Sequence, residues 1–65
     1  MQKGRVKYFN AKSKFGFITD LNDGKEYYVH EKYLLEKIET NDEVVFEIKE
    51  LKRGPAAINV KKAGG

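Results

Sequence analysis

A chain of 65 residues makes one domain with one small core, and on folding it buries only about 60% of the surface its unfolded form exposes. The absence of cysteine excludes a disulfide framework and a zinc site of the cysteine type. The net charge of +3 is unevenly spread: residues 1–30 carry +3, residues 31–50 carry −4 and residues 51–65 carry +4, so a polyanion would favour a surface built from the two ends. No apolar run is long enough for a signal peptide or a membrane-spanning helix, and a soluble, cytoplasmic monomer is expected.

Turn signals cut the chain into short elements. Val6, Tyr8 and Phe9 give "GRVKYFNAK" (4–12) high β propensity, and Asn10 ends the pattern. A second strand follows Ser13 and Lys14 as "FGFITD" (15–20). "NDG" (22–24) is a hairpin signal, because Asn, Asp and Gly tolerate the positive φ of a tight turn, and "KEYYVH" (25–30) is the returning strand. In "EKYLLEKIETN" (31–41) Leu34, Leu35 and Ile38 have helical spacing, so one or two helical turns or a packed loop is expected, with Tyr33 packing structurally. "DEVVFEIKEL" (42–51) alternates again, "KRGP" (52–55) is turn chemistry, and "AAINVKK" (56–62) is a last strand before Gly64-Gly65, a flexible tail.

Five strands and no long helix predict an all-β fold, a small antiparallel barrel spanning about residues 3–62, whose closure removes the exposed edges. The expected core is Val6, Ile18, Val29, Val44, Ile48 and Val60, with Leu34 plugging one end.

Successive side chains of a strand point to opposite faces, so if Ile18 and Val29 point inward, Phe15, Phe17, Tyr28 and His30 point outward. Gly16, between the two phenylalanines, leaves room for close approach or a sharp bend. Tyr8 extends the row, or Phe9 does if a bulge near Asn10 reverses the pleat. Lys7, Lys12, Lys14, Lys25 and Arg53 border it. Exposed aromatics usually mark a binding surface, and flat rings with flanking cations suit an unpaired nucleic acid strand, which offers base faces and phosphate charge. The competing readings are a second small core beneath a loop, a groove for an apolar or proline-rich peptide, and a duplex-binding chromatin protein, which would need more positive charge.

Catalysis finds no support. His30 is the only histidine and Ser13 the only serine, neither with a partner in a recognisable motif. The carboxylates of residues 31–50 are scattered without the loop spacing of a calcium site, and neither a metal nor a cofactor is expected.

"GRVKYFN", "KFGFI", "YVH" and "GPAAINV", in this order and spacing, resemble the cold-shock protein family, five-stranded Greek-key barrels of the oligonucleotide-binding (OB-fold) type. The resemblance runs from Gly4 to Val60 and is weakest over 31–41. It implies binding of single-stranded RNA and DNA, with a leaning to pyrimidine-rich strands, and roles in RNA chaperoning, transcription antitermination or translation. Carried over by position, it implies Tyr8, Phe15, Phe17, Tyr28 and His30 as stacking residues and Lys7, Asn10 and Arg53 as polar or phosphate contacts. The chain departs from the family pattern at Tyr8, where tryptophan is usual; at Ser13-Lys14, where Lys-Gly is usual; at Glu31, where most bacterial members carry an aromatic; and over 31–41, commonly longer in the family, with a glycine and another aromatic, for which Tyr33 is a substitute if it does not simply pack structurally. These departures imply a smaller stacking surface, an altered first hairpin and an anion at the edge of the site.

Overall fold

The computed structural model describes residues Met1–Ala63; the expected Gly-Gly tail lies outside them. Five strands, β1 (Gln2–Asn10), β2 (Phe15–Asp20), β3 (Glu26–His30), β4 (Glu43–Leu51) and β5 (Gly54–Lys62), close into a barrel in the order β1-β2-β3-β5-β4, with β4 returning to β1. The expected five-stranded barrel is present. Its seams are antiparallel except β3–β5, which is parallel where Tyr28 meets Ala56. A single 3-10 turn, Glu31–Tyr33, follows β3.

Short polar side chains end the strands where the sequence placed turns. Asn10 Oδ1 accepts the N–H groups of Lys12 and Ser13 at 2.9 and 3.2 Å, closing β1 two residues before the expected end at Lys12. In the β2–β3 turn, Asp20 Oδ1 accepts from the Asn22 N–H at 2.7 Å, and Gly24, at φ 73°, donates its N–H to Asp20 O at 2.9 Å. Asp20 is fully buried, and its second oxygen accepts from Gln2 Nε2 at 3.0 Å, so both carboxylate oxygens are bonded and the hairpin is tied to the start of β1.

The core consists of Val6, Ile18, Tyr27, Val29, Ile38, Val44, Phe46, Ala57 and Val60. Of the expected core, Ile48 is the exception, at 38% exposure. β4 pairs with β1 only from Glu43 to Phe46, which sits opposite Gln2; past that point β4 runs on with β5 alone, and no strand covers Ile48. Phe46 packs in its stead, 5.8 Å from the ring of Tyr27. The Tyr27 hydroxyl donates to Asp23 Oδ2 at 3.4 Å, and burial, followed by the Asp23 charge, raises its pKa above the usual tyrosine value.

Two bulges break the strict alternation. Val6 pairs with Ile18 and Tyr8 with Phe17, so Lys7 is the extra residue in β1 and the pleat inverts there. In β5, Asn59 and Val60 together face Phe46, with Asn59 at φ 51°, a left-handed conformation asparagine tolerates. The inversion lets Ala57 and Val60, three apart, both enter the core.

After its single turn, segment 31–42 is a packed loop. Leu34 bridges Val60 and packs partly buried against the core, as a plug, while Ile38 enters the core outright at 3% exposure. Backbone bonds from the Leu35 N–H to Val60 O, the Asn41 N–H to Val6 O and the Val6 N–H to Asp42 O, at 2.7–2.9 Å, fasten the loop to β5 and β1.

Candidate nucleic-acid interface

The β1 bulge decides which aromatic of Tyr8-Phe9 faces outward. Alternation from Val6 would send Tyr8 inward; with Lys7 inserted, Tyr8 is 41% exposed on the outer face and Phe9 packs against the core. A bulge near Asn10 was the condition for Phe9 to face outward; the bulge instead lies between Val6 and Tyr8, and it is Tyr8 that it turns outward. Gly16 then permits close contact of β1 with β2: a Cβ there would lie 2.1 Å from Tyr8 O and 2.7 Å from Phe9 Cα.

Register does the rest. Phe17 stands between Tyr8 and Tyr28 on the neighbouring strands, and Phe15 opposite His30. Ring centroids are 5.6 Å apart for Tyr8–Phe17, 6.1 Å for Phe17–Tyr28, 5.9 Å for Phe15–Tyr28 and 6.5 Å for Phe15–Phe17. Tyr28 meets Phe15 and Phe17 edge-to-face at 77° and 76°, and the Tyr8–Phe17 and Phe15–Phe17 pairs are tilted at 54° and 51°, so neighbouring rings are not stacked flat on one another. Four rings on three strands thus form one continuous outer surface.

The polar candidates divide. Arg53, on the β4–β5 turn, sits with its guanidinium 5.5 Å from the Tyr28 ring centroid, a cation–π contact that carries the charge onto the aromatic face. Lys7 Nζ donates to Glu26 Oε2 at 2.7 Å with both side chains about half exposed; that hydrogen bond, then the Glu26 charge, raises its pKa, so it is a cation at neutral pH. Asn10 spends its side-chain oxygen on the turn that carries Lys12 and Lys14, both exposed beside Phe15 in the chain. Lys25 is not brought to the row: it lies in the β2–β3 turn, at the opposite end of the hairpin from His30. Lys14 has φ 66°, so the first hairpin forms without a glycine by holding a lysine in the left-handed region.

His30 caps the 3-10 turn, its Nδ1 accepting the Lys32 N–H at 3.1 Å, which leaves Nε2 to carry the proton of the neutral ring. The turn brings Tyr33 back to His30, centroids 6.5 Å apart and 76° between planes, with Lys32 Nζ 5.2 Å from the Tyr33 centroid. Tyr33 packs partly buried against the core, as expected, and its ring also meets that of His30, which fits the alternative that it stands in for the family's further aromatic. The one local signal for that contact was the i, i+3 spacing from His30.

Two concavities flank this region. One of about 410 Å³ lies between His30, Tyr33 and the β4–β5 turn. The larger, about 840 Å³, lies on the far side of the 31–40 segment under Phe9, Leu34 and Leu35, and its lining carries Glu31, Glu36 and Glu39 against a single Lys37, so it repels phosphate. Among the described residues no cluster of three or more His, Asp or Glu could hold a metal ion, and no helix is long and apolar enough to cross a membrane.

Residues 2–63 match the family described as the 'Cold-shock' DNA-binding domain. The chain is 40% identical over 62 residues to the cold shock-like protein CspC of Shigella flexneri, covering 89% of this chain and 90% of that one. It is 41% identical over 66 residues to the cold shock-like protein CspD of Bacillus cereus, at 95% and 98% coverage, and 36% identical over 66 residues to the major cold shock protein of Streptococcus pyogenes serotype M18, at 95% and 97%. With the barrel, the outward aromatic row and the family match in agreement, the chain belongs to the cold-shock domain family of nucleic-acid-binding proteins.

Proposed function

We propose that this protein binds single-stranded RNA and DNA, with a preference for pyrimidine-rich strands, by stacking bases on Tyr8, Phe15, Phe17, Tyr28 and His30. The observation that supports it most is the unbroken row of rings across β1, β2 and β3 with the Arg53 guanidinium laid against it. Each base offers a π-face to such a row and each linkage offers a phosphate to the cations beside it. A duplex hides its base faces, so the open strand is the preferred ligand.

The protein then acts as an RNA chaperone by mass action and needs no ATP. A monomer that binds the open strand and not the paired one shifts weak secondary structure towards the open form. Transcription antitermination and translational control are uses of that same activity.

Titration of a fluorescent oligothymidine and of the corresponding duplex, each at two salt concentrations, tests the proposal. Single-strand preference is expected, with a log–log salt slope of about −0.7 for each phosphate neutralised. Phe15→Ala or Phe17→Ala is expected to weaken single-strand binding by about tenfold or more, the scale of one lost base stack. Equal affinity for the duplex, or binding that ignores salt, would refute the proposal; the second result would favour an apolar peptide in the groove.

A further inference from the structure

Beyond His30 two paths are open to a strand leaving the aromatic row. One crosses the start of the 31–40 segment, where Glu31 is exposed and Glu36 and Glu39 line the concavity behind it. A phosphate on that path meets carboxylates. The other crosses β3 towards the β4–β5 turn, into the concavity of about 410 Å³, whose charged lining residues are Lys32, Lys52 and Arg53, with no carboxylate among them. Its aromatic walls are Tyr28, His30 and Tyr33.

We infer that this groove is a further nucleotide subsite, in which a base packs against Tyr33 and His30 while its phosphate lies among Lys32, Lys52 and Arg53. The inference rests on the single-strand reading above and extends it to residues outside the β1–β3 row. The volume falls within the range of small-ligand clefts, about 300–1,000 Å³. Continuity is built in, because Arg53 lies over Tyr28, the ring shared by row and groove, and His30 stands between Phe15 and Tyr33. Lys32 already lies over the Tyr33 ring, so its ammonium is placed beside the base position and within a side-chain swing of the phosphate. Glu31 and Lys32, adjacent in sequence, act in opposite senses: the first closes one path to a polyanion and the second opens the other.

The test is the length dependence of affinity for oligothymidines extended one nucleotide at a time, measured for the unaltered protein, for Tyr33→Leu, which keeps an apolar side chain against the core, and for the double variant Lys32→Gln, Lys52→Gln. The affinity of Tyr33→Leu is expected to stop rising one nucleotide earlier, with a loss of about fivefold to tenfold confined to the longer strands. The lysine variant alters only exposed side chains and carries the test if Tyr33→Leu fails to fold; its salt slope on the longest strand is expected to fall by about 0.7 for a lost phosphate contact. Phe17→Ala serves as the control that weakens every length. Identical length dependence and salt slope in the unaltered protein and both variants, with Phe17→Ala still harmful, would overturn the subsite and leave the aromatic row standing. Failure of the unaltered protein to bind any strand would overturn both.

Discussion

Lys14 occupies a conformation that suits glycine. At φ 66° a side chain is crowded against its own backbone, at a cost of roughly 1–2 kcal/mol, part of which glycine returns through its greater freedom when unfolded. Lys14→Gly is therefore expected to stabilise the fold by about 1 kcal/mol, read as a rise of about 4–8 °C in the thermal midpoint. If the ammonium also meets a phosphate, the same variant binds a single strand less tightly, so stability and affinity move in opposite directions. Gly16 is the converse case. The Cβ of an alanine would lie 2.1 Å from a backbone oxygen of β1, which cannot move without parting the strands that align Tyr8 with Phe17. Gly16→Ala is expected to destabilise by about 3 kcal/mol or more, measurable by urea unfolding, out of a total of roughly 3–10 kcal/mol for a chain of this length.

Among the elements, β2 and β3 were legible because a period-two pattern is bounded by strong turn residues, and their outward rings are where alternation puts them. The choice between Tyr8 and Phe9 was not, because it depends on one inserted residue, Lys7, whose placement is fixed by pairing with a strand distant in sequence. Ile48 misleads for a related reason: it keeps the alternation of Val44 and Phe46, but β1 ends before reaching it. In segment 31–42 the helical spacing of Leu34, Leu35 and Ile38 is not realised, because backbone bonds to Val6 and Val60 set its conformation; the place of Ile38 in the core is therefore not written in local sequence, and that of Tyr33 beside His30 is signalled only by its i, i+3 spacing. The parallel pairing of Tyr28 with Ala56 is what brings the β4–β5 turn, and with it Arg53, to the Tyr28 ring. Arg53→Ala is expected to weaken single-strand binding by about tenfold, the scale of one charge-assisted contact, and to leave stability within about 0.5 kcal/mol, because the residue is exposed. Arg53→Lys should recover only part of the affinity, since an ammonium restores the charge but not the planar contact with the ring. Full recovery by lysine would mean that charge alone is used.

Over the whole molecule, the opposed charge of the segments becomes an opposed charge of surfaces. The acidic middle of the sequence lines the concavity under Phe9 and Leu35, while Arg53, Lys32 and Lys52 gather beside the aromatic row. A small net charge therefore coexists with a face suited to a polyanion, and steering by that face is expected to fade as the Debye length shortens, from about 10 Å at 0.1 M salt to about 3 Å at 1 M. Charge alone would hold any phosphate backbone; in the proposed function it is the rings that distinguish an unpaired strand. The decisive measurement is accordingly the affinity of the protein and of Phe17→Ala for an oligothymidine and for an abasic strand of the same length. The abasic strand is expected to bind far more weakly than oligothymidine, and Phe17→Ala to weaken only the strand that has bases. Equal binding of the two strands, or an equal loss on both in Phe17→Ala, would contradict stacking as the source of affinity.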